Sequence, residues 1–250
     1  MMTSPTTARR AGPTIFGLLV AAALAGAPGA AQARDLLVAP GSKGQLAFDQ
    51  ISGFRATLLD GFGYSGLLGG RYDRQSVDVR DGKRVVSSLS LWIAPSADYF
   101  VIDHLSLGGL VEVTRTSSSV EFPINPNTTQ TVDLPTTLSF TILPRVGYML
   151  SPSNRFAIWP RIGAGYFTKQ EVDSSNNPAA STRAAFSGVI VDLDVGLLYR
   201  PTEEFFLRAA PEIAFSVAGS RSSETNGVKT SVDASFFQAG LSAGIGVLID

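Results

Sequence analysis

The stretch Leu138-Ser139-Phe140-Thr141-Ile142-Leu143-Pro144-Arg145-Val146-Gly147-Tyr148-Met149-Leu150 decides the fold. One parity carries Leu138, Phe140, Ile142, Pro144, Val146, Tyr148 and Leu150, and the other carries Ser139, Thr141, Leu143, Arg145, Gly147 and Met149. Successive side chains of a strand point to opposite faces, so period two with one wholly apolar face predicts a β-strand. The run from Val189 repeats the pattern. Val189, Val191, Leu193, Val195, Leu197 and Tyr199 alternate with Ile190, Asp192, Asp194, Gly196 and Leu198.

Read outward from these two runs, the chain divides into eight alternating segments, approximately 44–55, 84–101, 105–115, 137–150, 155–171, 185–200, 205–220 and 229–249. Three breaks between them are very short: Ile102-Asp103-His104, Ser151 to Asn154 and Pro201 to Glu204, each following one of Tyr99, Tyr148 and Tyr199 closely. The other connections, near 56–83, 116–136, 172–184 and 221–228, are longer and rich in Ser, Thr, Asn, Asp and Gly. Short turns at one end and long loops at the other are the rhythm of an up-and-down transmembrane β-barrel, with both termini on the short-turn, periplasmic side.

The N-terminus fits that expectation. Arg9 and Arg10 precede an uncharged apolar run of 13 residues from Thr14 to Gly26, and Ala31-Gln32-Ala33 offers a cleavage point, so residues 1–33 read as a secretory signal peptide. The run falls short of the roughly 20 residues a spanning helix needs. Residues 34–43 then form a periplasmic N-terminal segment, and 44–250 a single barrel domain. Without the signal, 217 residues carry 18 basic against 21 acidic side chains, which implies no nucleic-acid partner. The absence of cysteine excludes a disulfide framework, a thiolate metal site and a thiol nucleophile.

The two faces separate a membrane barrel from a soluble carrier. A lipocalin-like carrier keeps an apolar lumen, whereas a membrane barrel is apolar outside and can hold polar side chains inside. Gly108, Gly147, Gly163, Gly165, Gly188, Gly196, Gly240, Gly244 and Gly246 share their parity with Glu112, Arg145, Arg161, Asp192, Asp194, Arg208 and Glu212. Small residues beside charges suit the inside of a narrow barrel, where opposite charges neutralise one another. These seven charged residues are the candidate lumen network, structural in role, and the lumen is expected to be plugged.

Aromatic residues on the outward parity fall at two levels. Tyr99, Tyr148, Phe156, Tyr199 and Phe205 lie near the short turns, while Phe140, Tyr166, Phe215 and Phe237 lie farther along their strands. At about 3.3 Å per residue and a tilt near 40°, the levels are about 20 to 25 Å apart, close to the height of a barrel's apolar band. They are the expected aromatic girdles. Pro95, Pro144, Pro160 and Pro211 fall inside the proposed strands although proline cannot donate to a ladder, so local bulges are expected at that level.

The segment from Asp98 to Gly109 (Asp-Tyr-Phe-Val-Ile-Asp-His-Leu-Ser-Leu-Gly-Gly) resembles the strand-turn-strand signature of small bacterial outer-membrane β-barrel proteins, the class that includes OmpA-type transmembrane domains. Pro144-Arg145-Val146-Gly147-Tyr148 and Trp159-Pro160-Arg161-Ile162-Gly163 are similar to segments around the next turn in that class. The resemblance implies a monomeric integral barrel of the Gram-negative outer membrane, with lipids and the barrel assembly machinery as partners and no shared biochemical activity. Barrels of the class usually finish on an aromatic residue, whereas this chain ends Val247-Leu248-Ile249-Asp250.

No cofactor or enzymatic activity is expected. His104 is the single histidine and falls in a predicted turn, so no general base stands near a serine at the lipid interface. Asp192 and Asp194 share a strand face with candidate arginine partners and read as part of an ion network. The expected role is structural or surface-interactive through long extracellular loops; the alternatives are a narrow pore and a secreted lipocalin-like carrier of an apolar ligand.

Overall fold

A computed structural model of the chain describes residues 39–57, 61–79, 82–125, 128–172, 183–225 and 228–250. The expected signal peptide, residues 34–38 of the expected periplasmic segment and most of the 172–184 connection lie outside these residues. Every helix or strand described is a strand: β1 (Leu46–Thr57), β2 (Gly61–Gly66), β3 (Leu68–Val79), β4 (Gly82–Ile93), β5 (Ser96–Ile102), β6 (Leu105–Asn125), β7 (Thr128–Tyr148), β8 (Phe156–Val172), β9 (Arg183–Tyr199), β10 (Phe205–Thr225), β11 (Val228–Asp233) and β12 (Phe237–Ile249).

Antiparallel ladders run from β6 through β7, β8, β9, β10 and β12 to β1. The ring closes where β5 pairs with β6 on one side and with β1 on the other, through Leu46 with Tyr99, Ala47 with Asp98, and Phe48 with Ala97. The result is the expected all-β, eight-stranded, up-and-down barrel. Register keeps the two sequence parities on separate faces: Ile162, Leu193 and Ile213 form one row across three strands, and Arg161, Asp194 and Glu212 form the neighbouring row. The apolar row is exposed and the charged row buried.

Beyond the ring, the strands continue where loops were expected. Residues 56–83 hold β2 and β3; β6 and β7 extend through the 116–136 connection, and β10 and β11 through 221–228. These extensions carry polar side chains on both faces, so alternation vanishes although the ladder persists; the apolar pattern marks burial or lipid contact, not pairing itself. Expected strand 84–101 is two elements, β4 and β5, separated by Ala94-Pro95. Above that break the wall parts: β1 pairs with β2 and β3 with β4, and Leu67 ties the two hairpins together by donating to Ile51 O at 3.3 Å and accepting from Ala94 N–H at 2.8 Å.

The proline expectation is corrected. Register is unchanged through Pro144, Pro160 and Pro211, so no residue is inserted there. Instead the β7–β8 pairing skips Leu143 and Pro144, and the β9–β10 pairing skips Ala210 and Pro211, without slipping. A missing N–H removes a rung and need not add a residue. Pro95 lies outside the ladder, in the β4–β5 break. The irregularities fall elsewhere, the widest between Phe48 and Ser52, where Gln50 takes a left-handed conformation (φ 58°).

Gly246 makes room inside the narrow ring, since a Cβ there would overlap the ring of the fully buried Phe206. Gly246→Ala should therefore cost about 1 to 3 kcal/mol through overpacking. A lower urea midpoint at unchanged m would show it.

Candidate functional site in the barrel lumen

The lumen is layered. At the short-turn end, Ala47, Phe100, Met149, Ala157, Trp159, Leu198, Phe206 and Leu248 form an apolar floor, each at most 3% exposed. Phe100 and Trp159 stack with centroids 5.6 Å apart, and Trp159 Nε1 donates to Ser106 Oγ at 3.2 Å. Residues 40–45 cross beneath. His104 N–H donates to Gly41 O at 2.6 Å, Gly44 N–H to Phe100 O at 2.9 Å, Ser151 Oγ to Pro40 O at 2.7 Å, and Gln45 Nε2 to Asp250 Oδ1 at 2.8 Å. These bonds tie both termini of the barrel domain and two short turns to the floor.

An ionic layer lies on that floor. Arg161 reaches Asp49 at 2.7 Å, Asp98 at 3.2 Å and Asp194 at 3.0 Å, while its guanidinium lies 4.5 Å from the centre of the Trp159 ring. Arg145 donates to Asp49 at 2.8 Å and to both carboxylate oxygens of Asp98. Arg208 meets Asp194 at 2.8 Å and Glu212 at 3.7 Å, and donates to Ser242 Oγ at 3.0 Å. Ser242 in turn donates to Glu212 at 2.5 Å, and Glu212 takes a further ion pair from Arg55 at 2.8 Å. Asp49, Asp98, Arg161 and Arg208 have side chains no more than 1% exposed. Charges so deeply placed remain ionised only when paired, because burial alone disfavours the charged form by several kcal/mol.

Five of the seven predicted network residues, Arg145, Arg161, Asp194, Arg208 and Glu212, meet in this layer. Glu112 and Asp192 instead line a cavity of about 210 Å³ directly above it, together with Gln50, Arg55, Trp92 and Leu143. Glu112 accepts from Thr114 Oγ1 at 3.1 Å. Sequence reasoning missed Asp49, Asp98, Arg55, Ser96 and Ser242. The parity that carries Trp92 also carries Ser96 and Asp98, so that signal was present; Asp49 lies beside the Gln50 bulge, which breaks the alternation that would have marked Arg55 with it.

Outside, Tyr99, Tyr148, Phe156 and Phe205 are 47 to 50% exposed, and Tyr199 lies 5.0 Å from Phe156, centroid to centroid. Tyr166 and Phe237 are also exposed, Phe140 and Phe215 are half-buried, and Phe215 pairs with Phe237 in register. Between these levels the surface is aliphatic. Apolar outside and charged within, with an apolar floor at the short-turn end, the barrel inverts the polarity of a soluble protein.

This is a closed, eight-stranded antiparallel β-barrel with an apolar outer face. No family model and no curated protein matches the chain. Among solved structures, the barrel is similar to the outer membrane protein OprG from Pseudomonas aeruginosa, at 15% identity over 83% of this chain and 97% of that one, with a TM-score of 0.49. It is also similar to the beta domain of the Bordetella autotransporter Brka (11% identity, 84% and 99% covered, TM-score 0.30) and to the CymD monoaromatic hydrocarbon channel (8%, 83% and 88%, TM-score 0.25).

The barrel's single histidine does not face the lumen network. His104 sits in the β5–β6 turn with φ 71°, its ring 6.1 Å from that of Tyr148. Among the described residues, no group of three or more His, Asp or Glu side chains is arranged to hold a metal ion.

Removing Arg161 leaves Arg55, Arg145 and Arg208 to balance Asp49, Asp98, Asp194 and Glu212, so one negative charge stays buried without compensation although each acid keeps an arginine neighbour. Arg161→Met should therefore lower stability by about 3 to 5 kcal/mol. Arg55→Met should cost much less, because the Arg55 side chain is 38% exposed and Glu212 retains Arg208 and Ser242. Urea midpoints of the two variants, compared with the parent, read the difference.

Proposed function

We propose that the chain is an integral barrel of the bacterial outer membrane whose lumen is plugged, and whose role is structural or surface-interactive through the extended hairpins at its open end. The observation that carries this reading is the inverted polarity. Ile162, Leu193, Val195, Ile213, Leu241 and Ile245 stand 41 to 62% exposed on the outer face, while seven charged side chains are buried on the inner one. A contiguous apolar band of this extent on a protein in water marks a membrane or partner surface. The two aromatic levels flank it as interfacial girdles.

The floor argues for a plug. Eight apolar side chains, with the bonded segment 40–45 beneath them, close the short-turn end of the lumen, and the ionic layer fills the section above. The charged inner face disfavours the apolar-ligand carrier. Outer-membrane lipids and the barrel assembly machinery are the partners this reading requires, and the monomer is its working unit. The same inner face holds its acids and arginines in mutual ion pairs, an arrangement suited to a structural filling and not to turnover.

Fractionation of expressing cells tests placement: recovery with outer membranes, extracted only by detergent, is expected, and release with the soluble periplasm would refute it. In planar bilayers the purified barrel should show no steady conductance, and open single-channel steps would overturn the plug. Leu193→Arg places a charge on the exposed apolar row and should destabilise the barrel by about 2 to 4 kcal/mol if that position faces mid-bilayer lipid. Equal stability of this variant and the parent in vesicles would reverse the face assignment.

A further inference from the structure

A second constellation occupies the outer half of the lumen, and the reading above does not use it. Phe167 of β8, Phe186 of β9 and Phe236, in the link between β11 and β12, meet edge to face. Their centroids lie 4.8, 5.0 and 6.0 Å apart, with interplanar angles of 72°, 88° and 81°. The link is folded onto β10 by specific bonds: Ala234 N–H to Gly219 O at 3.0 Å, Phe236 N–H to Ser216 Oγ at 2.8 Å, and Ser216 N–H to Phe236 O at 3.0 Å. Gly219 permits this approach, since a Cβ there would lie 2.6 Å from the Ala234 carbonyl oxygen and 3.3 Å from the Phe186 ring.

Register sets two cations beside this cluster. Lys169 of β8 and Arg221 of β10 are both partners of Phe186 and share its inward parity. With strands about 4.8 Å apart, their Cα atoms are separated by about 10 Å, close enough for the two long side chains to converge on one group in front of the ring. A cavity of about 310 Å³ opens here, lined by Lys169, Glu171, Phe186, Arg221, Ala234 and Ser235. Its formal lining charge is +1. Deeper in the lumen Arg55, Arg145, Arg161 and Arg208 are all ion-paired, yet among the described residues the side chains of Lys169 and Arg221 form no ion pair or hydrogen bond.

We propose that this cavity binds a small organic monoanion with a flat aromatic body, its carboxylate between Lys169 and Arg221 and its ring against Phe186. Each part of the wall matches one part of such a ligand. The guanidinium offers a bidentate fork to a carboxylate, and the ammonium adds a second charge-assisted bond. Phe186, held in place by Phe167 and Phe236, offers a ring that an aromatic guest meets in the offset or edge-to-face geometries such rings prefer. A few charged groups on a mainly apolar wall is the usual composition of a small-molecule site. The site is a property of the folded barrel and does not depend on where the barrel resides.

Purified barrel in detergent, shown to be folded by its heat-dependent gel mobility, is titrated with 2-naphthoate, the neutral 2-naphthamide and acetate by saturation-transfer NMR, with protein-free micelles as control. Saturable binding of 2-naphthoate is expected, with the amide and acetate each at least about tenfold weaker, since each lacks one of the two recognised parts. Lys169→Gln and Arg221→Gln should each weaken naphthoate binding roughly tenfold. Both side chains are exposed, so the gel shift should persist in the double variant, which should not bind. No saturable naphthoate signal, equal binding of the amide, or undiminished binding by the folded double variant would overturn the proposal. A gel shift without binding defeats the site alone, whereas soluble periplasmic fractionation defeats the membrane reading alone.

Discussion

The carboxylate of Asp98 joins the two requirements on which the barrel rests. Its backbone lies in the ladder that closes the ring, opposite Ala47, and its side chain accepts from Arg145 and Arg161. A closed barrel leaves no free edge, which satisfies the backbone; a narrow one traps inward side chains away from water, which obliges every charge to find a partner. At Asp98 both demands fall on one residue. The closing pairing between β1 and β5 is short, and Asp49 just beyond it reaches the same two arginines. Ion pairs thus hold across the seam where the ladder is shortest.

The rest of the lumen is organised around that layer. Below it, Trp159 offers its ring to Arg161 and its Nε1 to Ser106, so the apolar floor is coupled to the charged layer and not merely adjacent to it. Above it, Glu112 and Asp192 face a cavity, and the filling gives way to open space. A polar network of this kind has high stakes. With its charges balanced, it specifies one arrangement of eight strands; lacking a single arginine, it buries one negative charge without compensation. An apolar floor at one end and a cavity beside Phe186 at the other give the barrel an inherent direction.

Much of this was legible beforehand, and the failures have identifiable physical causes. The strands around Leu138 to Leu150 and Val189 to Tyr199 were read from alternation because their two faces meet different surroundings. The strands β2 and β3 went unread because Gly61 to Val79 has no such contrast. Proline was taken to demand bulges, but at Pro144 and Pro211 the ladder drops rungs and keeps its register. Of the ionic layer, the members on regular strands were found and two decisive acids were not: Asp98 was passed over although Trp92 and Ser96 share its parity, and Asp49 lies where the Gln50 bulge interrupts the pattern.

By itself, the sequence determined which residues alternate, and therefore the strands, the two faces and the inverted polarity of the barrel. These follow from period two, a local property of the backbone. Only the tertiary structure decided which charge meets which, where the apolar floor lies, and that Lys169, Phe186 and Arg221 stand in one row. Partners of that kind lie on different strands, and their meeting depends on ring closure and register, which bring together residues as distant in the chain as Asp49 and Arg208.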